Sequence, residues 1–351
     1  MDERKRESLV YRIISGKLRC TTPYGTFHIL NPTAEEKYIS EEIYESTYGE
    51  AVMEGAYNEQ AFDIFLQQKG IWSPMLEAKY SKLESDLENL KVALFTSFLN
   101  SEIRLKTKDA IAKTKREIIE LYERLHSYDY VSADGIARLQ KQKFLIAMSI
   151  YKDGEKLFNI DNYWMVDSNI IDVLSSELSK LRLQEEEVRL LARSEPWRSI
   201  WFCRKAGSSL FPCSTTEMTD EQKVLVYWSQ VYDNIRESPK CPPDDVISDD
   251  DALDGWFIVQ GKQHKQESDR EWIENQITNP DIKNSGEIFI KTGKQDAARV
   301  YGVNDAIGRA KQRALFKKIE KEGVVEVMNQ PDVVREKAEQ LQRMYKERVT
   351  S

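Results

Sequence analysis

Apolar positions along this chain recur mostly with a helical period. Short β-like runs occur near the start. LVYRII, KLRC and TFHIL, within residues 8–30, are rich in β-branched and aromatic residues. Ser15-Gly16 and Pro23-Tyr24-Gly25 separate them and are good turn sequences, so a small β meander is expected there.

From residue 33 the pattern becomes helical. Thr33 with Glu36 forms a capping box ahead of EEKYISEEIYEST. Asn58 opens a short helix through Phe62 and Phe65 that Gly70 closes. Ser73-Pro74 is an N-cap followed by a proline at the first helical position. The helix it starts carries Leu76, Tyr80, Leu83, Leu87, Leu90 and Leu94 in alternating steps of four and three, a heptad seam. Two readings follow. Leu76, Leu83, Leu87, Leu90 and Leu94 pair with a second copy, or they pack inside their own bundle, which so many neighbouring helices favour. Helices near 107–127 (Ile111, Ile118, Leu121, Leu125) and 132–151 (Ile136, Leu139, Phe144, Met148) come next.

The polar, aromatic stretch 152–164 reads as a domain boundary. It gives a first domain at 1–155, with the β meander and a helical bundle, and a second helical domain at 156–351. In the second, one long helix over about 168–193 carries Ile171, Leu174, Leu178, Leu181, Val188 and Leu191, with Glu185, Glu186 and Glu187 on a solvated face. Glu195-Pro196 opens WRSIWFCRKAG, with Gly207 as its C-cap. Thr219 with Gln222 caps KVLVYWSQVYDNI, which Pro239 ends. Farther on come a short amphipathic piece around EWIENQI, a strand GEIFIKTG, a charged helix from Asn304 or Asp305 to Gly323, and a last helix from Pro331. The expected class is mainly α, a helical bundle with a small N-terminal β element.

Composition narrows the function. The chain has 351 residues, 31% of them charged and 40% hydrophobic, which is too apolar for a disordered chain. A net charge of −8 argues against duplex nucleic acid as the main partner. No apolar run approaches a membrane span, and MDERKRESLV is not followed by the apolar core of a signal peptide. Cys20, Cys203, Cys213 and Cys241 form no CxxC pair, so reduced thiols are expected, with a Cys203–Cys213 disulfide as the lesser alternative.

The sharpest stretch is 228–256. Asp244, Asp245, Asp249, Asp250, Asp251 and Asp254 crowd an acidic loop, 244–254, ahead of an Asp-Gly-Trp corner. Aspartate oxygens suit calcium or magnesium, but an EF-hand aligned on Gly255 would need ligands where Ala252 and Gly261 stand. Helix capping or a basic partner fits better. Gly293-Lys294 lacks the rest of a phosphate loop, and neither GxSxG nor HExxH occurs. Arg309, Lys311, Arg313, Lys317, Lys318 and Lys321 make the charged C-terminal helix basic, and Glu320 and Glu322 dilute it. Trp197, Trp201, Trp228 and Trp256, with Tyr232, form a spaced aromatic set: either a groove for a partner helix or ordinary core.

The segment TDEQKVLVYWSQVYDNIRESPKCPPDDVISDDDALDGWF resembles a morphogenesis protein of tailed bacteriophages. GTFHILNPTAEEKYISEEIYE followed by LEAKYSKLESDLENLKVALF adds to the likeness, which covers about half of the chain. The resemblance implies a tail assembly chaperone that binds a helical tail protein in the host cytoplasm, or a structural component that stays in the virion. It transfers no catalytic residue, metal or cofactor, so a non-enzymatic role is expected. A metal-dependent or nucleic-acid-processing accessory is the remaining alternative.

Overall fold

A computed structural model describes residues 1–205 and 210–276, with isolated helical positions at 302, 303, 309 and 313. Two compact units divide at 258/259, so the boundary expected near 155 falls inside the first unit. The strand GEIFIKTG, Gly207, and the charged and final helices lie outside the described residues, apart from those isolated positions.

The first unit is mainly helical, with a small sheet near its start. LVYRII is not a strand. It belongs to helix α1 (Glu3–Ser15), in which Asp2 accepts a hydrogen bond from the Lys5 N–H at 2.7 Å and Gly16 adopts a left-handed C-cap. Burial of Val10 and Ile13, three apart on one face, overrides the β propensity of the run. The next two runs do form a hairpin, β1 (Leu18–Thr22) and β2 (Gly25–Ile29), with Cys20 opposite Phe27. Its remaining strands arrive much later. β3 (Ile150–Lys152) pairs antiparallel with β2, and β4 (Glu155–Lys156) closes the order β1-β2-β3-β4 after a tight turn at Asp153-Gly154. The polar 152–164 stretch is therefore partly a hairpin.

The expected caps hold. The Thr33–Glu36 capping box starts α2 (Ala34–Met53), Asn58 caps α3 (Glu59–Gln68), and Ser73 caps α4 (Pro74–Thr96). α5 (Ser101–Leu125) begins earlier than its apolar pattern suggests, because Asn100 caps it. After a short 3-10 turn at Asp129–Val131, α6 (Ala133–Ser149) runs along α2. Tyr44 of α2 donates to Asp134 of α6 at 2.6 Å. The helix expected over 168–193 is two, α7 (Ser168–Leu181) and α8 (Glu185–Ala192). Arg182 is extended, and Gln184 with Glu187 forms a capping box that restarts the helix. The three glutamates stand in the first turn of α8, where its positive end favours them. α9 (Trp197–Arg204), α10 (Asp220–Glu237), the single-turn α11 (Asp244–Ile247) and α12 (Asp250–Gln276) complete the described elements, and α12 absorbs the start of EWIENQI.

Three apolar clusters hold the first unit together. The largest joins Val10 and Ile13 of α1 to Leu191, Trp197, Leu225, Tyr232 and Trp256. A second packs Cys20, Phe27 and Ile150 of the sheet against Phe144 and Leu174. The third fills the α4–α5 hairpin with Leu94, Phe98 and Ile111, closed by Val246 and Ala252. Among the described residues no helix is long and apolar enough to cross a membrane.

Candidate functional site

The aspartate-rich stretch is not a loop. Pro242-Pro243 breaks the chain after α10 as expected, but Asp244 to Asp254 then form α11 and the first turn of α12, and Asp-Gly-Trp lies within α12. Asp249 accepts a long capping bond from the Ala252 N–H at 3.4 Å and pairs with Lys108 of α5 at 2.5 Å. Asp251 meets Lys115 of α5 at 2.8 Å. Asp254 sits between Lys91 of α4 at 2.7 Å and Arg189 of α8 at 2.8 Å. Asp250 pairs with Arg193, and Arg189 Nε lies 3.2 Å from the same carboxylate. Four carboxylates thus face five cations from α4, α5 and α8, which leaves no uncompensated negative charge for a metal. Among the described residues no group of three or more His, Cys, Asp or Glu is arranged to hold one.

These charges lie over the aromatic core. The Arg189 guanidinium stands 4.1 Å from the Trp228 ring centre, and Arg193 donates to the Tyr232 hydroxyl at 2.8 Å. Burial pushes the Asp254 carboxyl up, but hydrogen bonds and charge from Arg189 and Lys91 outweigh it and hold the group below the usual carboxylate range. The arrangement is an electrostatic joint that ties α4, α5 and α8 to α12.

Trp197, Trp201, Trp228, Tyr232 and Trp256 are all buried, at 0–7% exposure. They line the interior of the first unit, so an exposed groove built from these rings is corrected to core. Their polar atoms are answered inside it. Trp197 Nε1 donates to Ser229 Oγ and Trp201 Nε1 to Asp233 Oδ2, each at 2.7 Å. Arg198 and Lys205 reach the same Asp233 carboxylate at 2.6 and 2.9 Å. The arginines flanking Trp197 in sequence suggest a surface position, but Arg198 folds back onto the buried Asp233 and Arg193 onto the partly buried Asp250.

The heptad seam is also used within the chain. α4 packs along α5, Leu94 is fully buried, and Leu87 and Leu90 pack against the same cluster. Leu76 and Leu83, nearer the start of α4, are half-buried. The homo-oligomeric reading of this seam gives way to the intramolecular one, because α5 supplies the facing helix.

A different surface gathers aromatic rings. Tyr57 stacks on Phe65 at 4.8 Å, and Phe65 touches Phe62 at 6.2 Å and Tyr128 at 5.9 Å. Tyr128 in turn stacks on Tyr130 at 5.9 Å. Tyr130 is 68% exposed, and Tyr57 and Tyr128 are on the solvent side as well. The backbone fixes this platform. Tyr57 and Ser132 form a bridge through Tyr57 N–H to Val131 O at 3.3 Å and Ala133 N–H to Tyr57 O at 2.9 Å. Arg124 ties the end of α5 to the end of α3 by donating to Ile71 O and Gly70 O at 2.7 and 2.8 Å. Sequence reasoning finds Phe62 and Phe65 as the apolar face of a helix but misses Tyr128 and Tyr130, whose only local signal is the alternation in SYDYVS. An open cleft of about 350 Å³ elsewhere is lined by Ile43, Lys143, Tyr163 and Trp164 among others, with Lys143 its one charged wall residue among those described.

Comparison with protein-family models, with curated proteins and with solved structures finds no match for this chain.

Proposed function

We propose that this chain is a non-enzymatic protein-binding factor whose partner docks on the aromatic platform of Tyr57, Phe62, Phe65, Tyr128 and Tyr130. The observation that carries this reading is the platform itself: large rings, partly open to solvent, held by backbone bonds rather than by flexible loops. Tyrosine supplies wide amphipathic contact area at low entropic cost, so fixed tyrosines suit a binding hot spot. The resemblance stated above supplies the setting, assembly of a tailed-phage particle. There the chain acts as an assembly chaperone in the host cytoplasm and shields the apolar face of a helical tail protein.

A second reading, a permanent subunit of the tail, neck or connector, draws on the ion-paired joint, which stiffens α4, α5, α8 and α12 into a static part. The test follows the protein through infection by immunoblot of assembly intermediates and of purified virions. Presence in intermediates and absence from virions supports the chaperone, and retention in virions supports the subunit. Absence from both overturns the phage setting. Tyr128→Ala with Tyr130→Ala should weaken capture of the copurifying partner about 100-fold with the fold retained. Unchanged capture would mean that the partner docks elsewhere.

A further inference from the structure

The outer face of α5 carries an apolar stripe that nothing among the described residues covers. Leu105, Ala112 and Ile119 recur every seven residues and so share one side of the helix. That side is opposite Thr107, Ile111 and Leu121, which are buried. Leu105 is 62% and Ile119 54% exposed, and Ala112 is exposed as well. The stripe spans about 21 Å at 1.5 Å per residue. Along the edge nearer α12, Lys108 and Lys115 are neutralised by Asp249 and Asp251. Along the other edge Asp109 and Arg116 are exposed, and neither has a partner of opposite charge among the described residues.

We infer that this face of α5 is a homodimer contact in which two copies pack their α5 helices antiparallel about a twofold axis through Ala112. The pattern is self-complementary, as a twofold interface requires. Leu105 of one copy meets Ile119 of the other at both ends of the stripe. The small Ala112 side chains meet at the centre, where they allow close approach. Asp109 faces Arg116 of the second copy, twice by symmetry, so each unpaired charge finds its opposite. Glu102 and Glu123, which this register brings to the same edge, do not oppose it, because Lys106 neutralises Glu102 at 2.6 Å. A parallel pairing would leave Asp109 and Arg116 without these partners. The contact uses none of the platform residues, so its failure and that of the proposed function are read separately.

Light scattering after size exclusion on the full chain should give about twice the monomer mass of 40.9 kDa. Arg116→Asp should weaken the dimer at least about tenfold. Adding Asp109→Arg to it should restore the dimer, with unchanged circular dichroism throughout. Disulfide trapping fixes the geometry, in a background with the exposed Cys203 and Cys241 changed to serine. Ala112→Cys should cross-link to itself. Leu105→Cys should cross-link only when mixed with Ile119→Cys. A monomer at every concentration, a dimer indifferent to both charge changes, or self-cross-linking of Leu105→Cys would overturn the inference.

Discussion

Gly255 of α12 lies so close to Lys91 of α4 that a Cβ at Gly255 would stand 2.0 Å from the Lys91 carbonyl oxygen and 2.6 Å from its carbon. The two helices touch backbone to backbone there. This contact accounts for the Asp-Gly-Trp triplet residue by residue. Asp254 binds the Lys91 ammonium, Gly255 admits the Lys91 carbonyl, and Trp256 fills the core behind it.

Gly255→Ala therefore forces α12 off α4. The clash is with backbone, which cannot rotate away, and an overpacked core contact of this kind costs about 3 kcal/mol or more. A Cβ at Gly261, in the same helix, would meet nothing within 4 Å. Gly261→Ala should instead stabilise by about 0.5–1 kcal/mol through helix propensity. Urea unfolding of the two variants should move the midpoint in opposite directions, and a harmless Gly255→Ala would refute the close contact.

Arg189 is 5% exposed and answers both Asp250 and Asp254. Asp254→Asn should destabilise by about 2–4 kcal/mol, because it removes one acid from a buried guanidinium. The Arg189→Met variant and the double variant complete a cycle. Residues that act as one network should couple by about 1–3 kcal/mol. Strict additivity in chemical denaturation would show that the two side chains do not share an interaction.

Asp233 governs an acid transition. Burial raises its carboxyl, but the Trp201 indole, Arg198 and Lys205 together bring it from the usual 3.8 down to about 2. The folded value is below the unfolded one, so its contribution is full above 3.8 and is lost as pH falls through about 2. Asp254 is lowered too and acts with the same sign. Melting temperature followed from pH 6 to pH 2 (a range of about four units) should show Asp233→Asn well below the wild type at the neutral end. The gap should narrow in the acid window, and a gap constant with pH would place the stabilisation elsewhere.

The helix starts are legible in the sequence because a cap is local. Thr33 with Glu36, Thr219 with Gln222, and Ser73 before Pro74 each satisfy their own first turn, and the structure uses all three. α1 escapes a local reading because its β-branched run is decided by burial of Val10 and Ile13 against α10, far along the chain. The aspartates suggest a loop for the same reason. Their cations, Lys91, Lys108 and Lys115, come from α4 and α5. Gly after Asp normally signals a turn, and only the approach of α4 explains a glycine inside a helix at that point. Tyr128 and Tyr130 fall in a short connection without periodicity, so nothing in the local pattern separates a platform from a turn.

Because α1 is built into the largest core, the chain cannot finish folding in the order in which it is made. The Gln222 side chain donates to the Ile13 carbonyl across 209 residues, and the cluster that buries Val10 and Ile13 is completed by Leu225 and Trp256. The α4–α5 hairpin closes from neighbouring segments and is free to form early, whereas the apolar face of α1 stays incompletely covered until α10 has been made. A nascent chain stalled before α10 should therefore be the species most exposed to misassembly.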